Sequence, residues 1–402
     1  MKLSLFLAIK TIIRGDKGSL ILTVLIMLVV FLNLLFVDAI FAGITETMDK
    51  GKINYQYGEV IIEPKMGDRY IKNTNQIIDT MKDFYYVKNI TARITTGAVL
   101  INDKNNDGRD VVKFRTGIIG IDPEEDNDVV DIKSNIIEGR YLEKNDRGKI
   151  MIGADAAGGY GSSVFAEDLE GVRSGDNLTV EFENDIIREF EIVGIYRTKN
   201  FETDSKMIMM RNDFNSVFST TNESSEIIMR LTDKNLSQKA ISDLQKLGFG
   251  EYELADWSDK LSFGRTINES FDKIGLILRV IGSFVSGLVI FIIIFVDIVN
   301  RRKQIGILKA IGISEKSIMY SYIFRGMFYT IIGMTLGYLI MRFGVVNLFT
   351  KHPIDFPMGW MIPKIKIESL RMSILLFILA GLIGSFLPTI KEVRKKILTL
   401  MR

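Results

Sequence analysis

The chain has 402 residues, of which 47% are hydrophobic and 25% are charged, and its formal net charge is +2. That balance is too apolar for an ordinary pair of soluble domains and too polar for a chain lying wholly in a membrane, so we expect both kinds of segment. The absence of cysteine and the single histidine, His352, exclude disulfides and thiol catalysis and argue against a catalytic triad or a histidine metal cluster.

The N-terminal region predicts a surface helix followed by a membrane span. Residues 1–18 are apolar with widely spaced cations, which is typical of a helix in the cytoplasmic membrane interface; a frayed leader is the alternative. Residues 19–41 form an apolar run that reaches the roughly 20 residues a bilayer core requires. The run is too long for a signal peptide and no small-residue cleavage site follows it, so we expect a retained anchor.

Residues 42–273 have the pattern of a large α+β domain. Segments rich in β-branched residues predict strands, and two amphipathic segments, 71–84 and 235–247, predict helices. The predicted strands lie at 58–64, 90–101, 111–121, 149–154, 178–182, 188–196 and 226–231. Asn184 and Asp185 predict a hairpin turn. An α+β domain, in one or two lobes, follows from this mixture.

Two polar segments of this domain look like functional sites but are better explained as loops. Asp103, Asn105 and Asp107 are spaced like the first ligands of an EF-hand, but Phe114 occupies the position where a bidentate glutamate is needed. A polar turn between strands is the stronger interpretation. The acidic run 124–128 is expected to be a solvated loop.

Further apolar runs complete a set of four predicted spans. They lie at 274–299, 317–345 and 371–390. Lysine and arginine cluster before the first span, in the connection 300–316 and in the tail 391–402. The positive-inside rule therefore places both termini and the connection 300–316, called the elbow below, in the cytoplasm. The domain 42–273 and the loop 346–370 are then extracytoplasmic.

The helices of the first two spans are expected to continue beyond the bilayer as a stalk. Ile267, Phe271, Ile274 and Leu278 recur at intervals of four, three and four, which is the seam of a helix packed against another helix. If that second helix starts near Trp257, it is about twice as long as the hydrocarbon core is thick.

The elbow combines its cations with a regular apolar spacing. Ile305, Leu308 and Ile311 recur every three residues, as expected of a short helix that docks its apolar side into a groove on another protein. Gly312 before Ser314 predicts the end of that helix and the start of the next. A merely topogenic connection, held inside by its cations, is the alternative.

The third predicted span carries glycines and two arginines. Gly326, Gly333 and Gly337 are spaced to let a neighbouring helix approach closely, and ordinary membrane-helix glycine is the competing account. Arg325 and Arg342 lie near opposite ends of the span, where we expect their long side chains to snorkel to the headgroups.

The segment 301–340 resembles the signature of the FtsX-like permease family, whose members are membrane subunits of ABC transporters that pass force (mechanotransmission) rather than open a channel. The resemblance rests on Ile305, Gly306, Ile307, Leu308, Ala310, Ile311, Gly312, Gly326, Gly333 and Gly337. Gln304 and Arg325 depart from it, because an acidic residue is usual at the first position and an acidic or small residue at the second. The resemblance implies that 274–402 is the FtsX-like permease domain. It assigns coupling to an ATPase to Gln304, Ile305, Gly306, Ile307, Leu308, Lys309, Ile311 and Gly312.

Segments of the region 42–273 are similar, in order, to the extracytoplasmic domain of lipoprotein-releasing (Lol-type) permeases, which has a MacB-like core. These are GIIGIDPEE at 117–125, EGRYL at 138–142, IMIGADAA at 150–157, SGDNLTV at 174–180 and VGIYRTKNFETDSKMIMM at 193–210. The last of them contains an acidic-serine stretch formed by Glu202, Asp204 and Ser205.

Together these patterns imply a membrane protein with four transmembrane α-helices and a large α+β extracytoplasmic domain inserted between helices 1 and 2. The resemblance implies a permease that extracts lipoproteins from the outer leaflet of the cytoplasmic (inner) membrane. The chain has no GxxxxGK[ST] motif, so we expect no enzyme activity and no cofactor in it, with ATP and Mg²⁺ on a separate ABC ATPase. The other expected partners are a second permease copy or paralogue, a lipoprotein carrier and the lipid bilayer, with no nucleic acid.

In the lipoprotein-releasing branch the cargo enters sideways between the first helices of two permeases. By position alone, the slot here would be lined by Phe31, Leu35, Val37, Ile40, Phe271, Ile274 and Leu278. A MacB-like exporter of peptides or amphiphilic drugs is the alternative function. A membrane sensor and a membrane enzyme are weaker hypotheses, because the cytoplasmic parts are too short for an output domain and cysteine and histidine are scarce.

Overall fold

The structure, a computed structural model, describes residues 2–14, 17–103, 111–161, 167–257, 262–356 and 359–395. Its contacts divide the chain into two units. The helical unit comprises Met1–Thr45, Ile267–Ile354 and Met361–Arg402, and the sheet unit comprises Glu46–Thr266 and Asp355–Trp360. The EF-hand-like positions Asn105 and Asp107, and the residues 258–261 that follow Trp257, lie outside the described residues.

The described helices include long apolar ones and short amphipathic ones. In chain order they are α1 (Lys2–Arg14), α2 (Lys17–Lys52), α3 (Thr74–Lys82), α4 (Pro123–Val129), α5 (Ala154–Ala157), α6 (Phe201–Asp204), α7 (Arg211–Phe218), α8 (Ser237–Lys246), α9 (Ser262–Asn300), α10 (Arg302–Ala310), α11 (Glu315–Leu339), α12 (Val346–Lys351) and α13 (Ile367–Val393). Single π-helical turns, Ile53–Tyr57 and Ile340–Val345, continue α2 and α11. Short 3₁₀ helices are Lys133–Asn135, Lys234–Leu236 and Phe249–Glu251.

The described strands are mostly short. They are β1 (Val60–Glu63), β2 (Ile71–Lys72), β3 (Val87–Asp103), β4 (Val111–Ile121), β5 (Ile136–Gly139), β6 (Lys149–Gly153), β7 (Asn177–Phe182), β8 (Ile187–Tyr196), β9 (Met207–Met210), β10 (Glu223–Ser224), β11 (Glu226–Leu231), β12 (Glu253–Asp256), β13 (Ile354–Phe356) and β14 (Gly359–Met361).

Among the described residues, four helical segments are long and apolar enough to cross a membrane, which agrees with the four predicted runs. They are Lys17–Tyr57, Lys273–Asn300, Glu315–Lys351 and Ile367–Val393. The helices α2 and α9 have 36 and 39 residues, well beyond the roughly 20 that a bilayer core needs. Both therefore continue past their apolar runs, as predicted. The segment 346–370, predicted to be an extracytoplasmic loop, holds α12, β13, β14 and the first residues of α13.

The glycines of α11 let two neighbouring helices approach closely, as predicted. A Cβ on Gly333 would lie 2.5 Å from the Cβ of Met27 in α2, and one on Gly326 would lie 2.6 Å from the Cβ of Ser385 in α13. A Cβ on Gly337 would also press on the α2 backbone. Because these positions have no Cβ, the helices can pack at short range.

The side chain of Arg325 has a different environment from the one predicted. Its side chain is 5% exposed, and its Nη1 lies 2.5 Å from Oδ2 of Asp297 in α9. The guanidinium is therefore held inside the helical unit by a carboxylate and does not snorkel freely to the headgroups. Arg342, at the other end of the span, is exposed as expected.

The sheet unit is built on one large sheet in which β3 is shared by two halves. The strand order is β12-β1-β11-β3-β4-β9-β6-β8-β5, with β7 pairing both β3 and β8. The first part of β3 pairs with β11, and its second part pairs with β4. Separate hydrophobic cores lie over the two halves, one including α3 and α8 and the other including α7. This arrangement is an α+β fold, as predicted.

All seven predicted strands are present, whereas several strands of two to four residues are not indicated by the sequence. The predictions 111–121 and 226–231 match β4 and β11, and Asp185 has a positive φ of 60° in the predicted turn. Strands β2 and β10 have two residues each and pair with one another. Such strands are too short for a periodic pattern to indicate them.

The expected acidic loop 124–128 is instead the helix α4, which is capped by the side chain of Asp122. One of its carboxylates, Asp126, is fully buried. Oδ1 and Oδ2 of Asp126 accept from Nε and Nη2 of Arg93 at 2.5 and 2.9 Å. This bidentate ion pair neutralises a guanidinium and a carboxylate that could not remain charged and buried alone.

Candidate functional site

The elbow folds as the short helix α10 between two long helices. The turn after it contains Gly312, whose φ of +89° lies in the left-handed region. The N–H of Ile313 donates to the carbonyl of Leu308, and the N–H of Gly312 donates to that of Lys309, which is a glycine-terminated helix ending. Ser314 then caps α11. The predicted turn is confirmed.

One face of α10 belongs to the core of the helical unit. Ile305 is 1% exposed and packs in one cluster with Ile298, Ile318 and Val393. Leu308 is half-buried against the same cluster. Contrary to expectation, Ile305 is thus covered by its own chain and is not presented to a partner. An α-helix has 3.6 residues per turn, so residues spaced three apart are displaced around the helix axis by about 60° at each step. Ile305, Leu308 and Ile311 therefore do not lie on one face.

The back of α10 is pinned to the end of α13 by charged groups. Nη2 of Arg302 lies 2.9 Å from Oε2 of Glu392. Nζ of Lys309 donates to the carbonyls of Val393 and Lys395 at 3.0 and 2.8 Å. Two elbow cations therefore hold the helix in place, a role that a merely topogenic connection would not require.

The opposite face of α10 is open. Ile307 is 53% exposed and Ile311 is 68% exposed, and residues four positions apart are neighbours on a helix surface. Lys303, Gln304 and Ala310 are exposed beside them. We call these five residues the elbow face. An apolar pair presented on a pinned helix is suited to insertion into a groove of another protein.

The residues assigned to a cargo slot fall into two groups. Phe31 and Leu35 are buried, and the ring of Phe31 lies 4.8 Å from that of Phe377 in α13. Contrary to their assignment, these two belong to the core of the helical unit and do not line an open surface. Ile274 and Leu278, by contrast, are 43% and 39% exposed.

The remaining slot residues, Val37, Ile40 and Phe271, are half-buried. The ring of Phe271 lies 5.5 Å from that of Phe41. Helices α2 and α9 therefore meet at this level of the predicted seam, and the apolar surface of α9 remains open beside the contact. The side chain of Ile267, the first residue of that seam, lies outside the described part of the chain.

An ion pair that the sequence analysis missed lies near this surface. Nε of Arg279 is 3.0 Å from Oδ1 of Asp38, and the hydroxyl of Ser373 donates to Oδ2 of Asp38 at 2.9 Å. Both charged side chains are mostly buried. Ionisable residues within a membrane span are functional candidates by default. Asp38 lies in the predicted span 19–41 and Arg279 in the predicted span 274–299. The rule could therefore have marked both residues as candidates from the sequence.

The acidic-serine stretch of the sheet unit stabilises a turn. The carboxylate of Asp204 accepts from the backbone N–H and the hydroxyl of Thr198 and from the backbone N–H of Lys199. Burial raises the pKa of Asp204 to about 7, although these donors favour the charged form. Glu202 accepts from the side-chain amide of Gln56 at 3.0 Å. These contacts explain the carboxylates by local structure.

Residues 276–397 match the family profile described as the FtsX-like permease C-terminal domain. The chain carries an FtsX-like permease domain. The elbow, Arg279 and the glycines of α11 lie inside this FtsX-like domain, whereas Asp38 and the rest of α2 precede it. With four apolar helices among its described residues, the chain is a membrane protein.

Two relatives of the chain are permeases by name, and one of them is named as an ABC transporter permease. An uncharacterized ABC transporter permease of Methanocaldococcus jannaschii is 24% identical over 267 residues, which are 63% of this chain and 62% of the relative. A putative hemin transport system permease protein, HrtB, of Staphylococcus haemolyticus is 22% identical over 234 residues, 58% of this chain and 60% of the relative. The chain thus spans about three fifths of the length of these curated relatives.

Two solved structures of transporter domains resemble part of the chain. The match to the periplasmic region of MacB from Actinobacillus actinomycetemcomitans covers 53% of this chain and 91% of that one, with 14% identity and a TM-score of 0.35. The match to the extracellular domain of the noncanonic ABC-type transporter YknZ from Gram-positive bacteria covers 49% of this chain and 98% of that one, with 15% identity and a TM-score of 0.35.

Proposed function

We propose that this chain is the permease subunit of an ABC transporter that transmits force, and that a separate ABC ATPase docks on the elbow face. The observation that carries this proposal is the exposed pair Ile307 and Ile311 on a helix pinned from behind. ATP and Mg²⁺ would bind to the partner ATPase. The FtsX-like domain and the two permease relatives support the same class.

The pinning of α10 suits it to pass on a displacement. A docking helix held only by apolar contacts could change its orientation when a partner moves it. In addition to such contacts, α10 is bonded to the end of α13 through Arg302 and Lys309. It connects directly to α9 and α11, so a movement of α10 would be carried along both helices. A second copy of the chain or a paralogue would present an equivalent elbow to the other subunit of an ATPase dimer.

For the cargo, we propose lipoproteins taken sideways from the outer leaflet of the cytoplasmic membrane and passed to a soluble carrier. The open apolar surface at Ile274 and Leu278 supports an acyl chain as the ligand, because burial of its methylene groups is favourable against such a surface. The sheet unit, which we place outside the cytoplasm, would then receive the polypeptide part.

A second candidate is export of an amphiphile, such as a peptide or an amphiphilic drug, in the manner of MacB. The ion pair Asp38–Arg279 favours this candidate, because a charged group on the cargo could exchange with one member of a buried pair. The relative named as a putative hemin transport permease is consistent with an amphiphilic cargo.

The docking proposal is tested by replacing Ile307 with Asp in the full-length, affinity-tagged chain. A carboxylate in an apolar docking contact loses its hydration without gaining a partner, so we expect recovery of the copurifying ATPase to fall by roughly 10-fold. The matched control is Ile137→Asp, which alters a residue of the sheet unit that is 46% exposed. Recovery of the ATPase should be unchanged in the control.

Two outcomes would contradict the proposal. One is equal ATPase recovery with Ile307→Asp and with the wild-type chain, which would leave the elbow with a topogenic role. The other is copurification of a kinase or of no ATP-binding protein with the wild-type chain, which would favour a membrane sensor.

A further inference from the structure

A cavity of about 230 Å³ lies in the helical unit between α1, α2, α9 and α11. It is separate from the elbow face and from the apolar surface at Ile274. Its polar side is formed by Thr11, Ser19, Asn300 and the three charged residues Asp297, Arg301 and Arg325. Apart from Thr23 and Tyr329, the rest of the lining consists of apolar residues of α1, α2 and α9.

The described lining of this cavity carries a surplus of positive charge. Oδ1 of Asp297 lies 3.0 Å from Nε of Arg301, and Oδ2 of Asp297 lies 2.5 Å from Nη1 of Arg325. One carboxylate is therefore shared by two guanidinium groups. The surplus favours an anionic ligand in the cavity.

Arg325 also retains an unused donor. The residue is 4% exposed, and among the described residues its Nε has no hydrogen-bond partner. Its Nη2 donates to the hydroxyl of Tyr329 only at 3.4 Å. Leaving a guanidinium N–H buried without an acceptor is unfavourable. A phosphate oxygen in the cavity would supply that acceptor, and guanidinium matches phosphate geometry well.

The apolar side of the cavity continues onto the outer surface of the helical unit. Leu22, Ile292 and Val296 line the cavity and are also 59%, 57% and 48% exposed. These side chains belong to segments apolar enough to cross a membrane, so their exposed faces would contact lipid tails. A ligand with an anionic head and an apolar tail matches both the polar and the apolar residues of the lining.

The cavity lies at one end of two of the spans. Asp297 is three residues before the end of α9 at Asn300, which is about 4.5 Å along a helix axis. Ser19 is the third residue of α2, which begins at Lys17. Headgroups of membrane phospholipids occupy this depth, at the border of the hydrocarbon core.

We propose that this cavity binds the headgroup of an anionic membrane phospholipid, with its phosphate on Arg325 and its acyl chains along Leu22, Ile292 and Val296. The bound lipid contacts α1, α2, α9 and α11 at once. Lipid binding here would be independent of the proposed transport function, because the cavity is near the end of α9 and the apolar surface at Ile274 and Leu278 is near its start. A phosphatidylglycerol-type headgroup meets these requirements.

The test uses native mass spectrometry of the full-length chain in detergent with added dioleoyl phosphatidylglycerol or dioleoyl phosphatidylcholine. We expect the fraction of protein that retains phosphatidylglycerol to be roughly 5-fold larger than the fraction that retains phosphatidylcholine. This is the size of effect that one basic side chain has on the binding of an anionic lipid. Arg325→Gln should abolish the difference, whereas Arg342→Gln, at the other end of the same span, should preserve it. Ser19→Trp, which fills the cavity but keeps the ion pair, should also abolish it.

The Ser19→Trp variant keeps the test decisive if Arg325→Gln fails to fold. Equal retention of phosphatidylglycerol by folded Ser19→Trp and by the wild-type chain would overturn the proposal. Binding of added inorganic phosphate that is lost in Arg325→Gln, with no preference between the two lipids, would also overturn it, since a free anion would then be the ligand. So would a change of oligomeric state in Ser19→Trp without a change in lipid retention, which would assign the cavity to a second copy of the chain.

Discussion

The ion pair Arg93–Asp126 is buried in the sheet unit. Both side chains are at most 2% exposed, and Nη1 of Arg93 also donates to the carbonyl of Gln56 at 2.7 Å. Replacing Arg93 with Met leaves the carboxylate of Asp126 buried without its partner. We expect the free energy of unfolding to fall by about 3–5 kcal/mol, measured by chemical unfolding of the full-length chain in detergent.

The double variant Arg93→Met/Asp126→Leu distinguishes the cost of an unpaired carboxylate from the cost of altered packing. Removing both charges avoids the unpaired carboxylate, so we expect the double variant to be more stable than Arg93→Met alone. Asp79→Asn, at a side chain that is 75% exposed, is the control and should leave stability unchanged. A double variant less stable than the single one would show that the unpaired carboxylate is not the source of the loss.

At the scale of the helix, close packing on α11 depends on the missing Cβ of Gly333. A methyl group there would lie 2.5 Å from the Cβ of Met27, so α2 and α11 would have to separate. We expect Gly333→Ala to lower the free energy of unfolding by about 1–3 kcal/mol, seen as a lower melting temperature in detergent.

Gly344→Ala is the matched control on the same membrane-spanning segment. The nearest atom to a Cβ at Gly344 is in the Ile340 side chain, at 3.8 Å, which is an ordinary contact. Its melting temperature should equal that of the wild-type chain or exceed it, because alanine favours a helix over glycine. Equal effects of the two substitutions would mean that helix propensity alone, and not close packing, explains the glycines.

At the scale of the whole molecule, the charge distribution predicts which parts lie outside the cytoplasm. Single cysteines at Ser134 and Asp79, both exposed in the sheet unit, should react with an impermeant thiol reagent in intact cells. A cysteine at Ser314 in the elbow should react only after the membrane is opened. The wild-type chain has no cysteine and gives no background. Protection of both sheet-unit cysteines in intact cells would contradict the topology.

The cargo proposal predicts where a substrate touches the chain. A photo-crosslinker at Ile274 should capture acylated lipoproteins, and ATP hydrolysis should reduce the capture, because the site empties when the helices move. The control is Leu375 on α13, which is 55% exposed and not on the proposed slot. Capture of peptides or small amphiphiles at Ile274, with lipoproteins captured at neither position, would favour the exporter.

Local patterns in the sequence were enough to predict four apolar spans and much of the sheet unit. An apolar run of about 20 residues has a bilayer as its stable environment, and a helix satisfies its backbone there. Strands β4 and β11 followed from their β-branched residues, which are a local property. The turns at Gly312 and Asp185 followed from residues that tolerate positive φ.

Which side chains remain exposed to a partner depends on how the helices pack against one another. Ile305 and Ile307 are the same residue type two positions apart, yet residues of α11 and α13 cover the first and leave the second open. The ion pair Asp38–Arg279 joins two separate helices, and neither helix alone indicates it. Local periodicity describes one element at a time, whereas burial and pairing depend on which elements meet, and that is set by packing between residues distant in the chain.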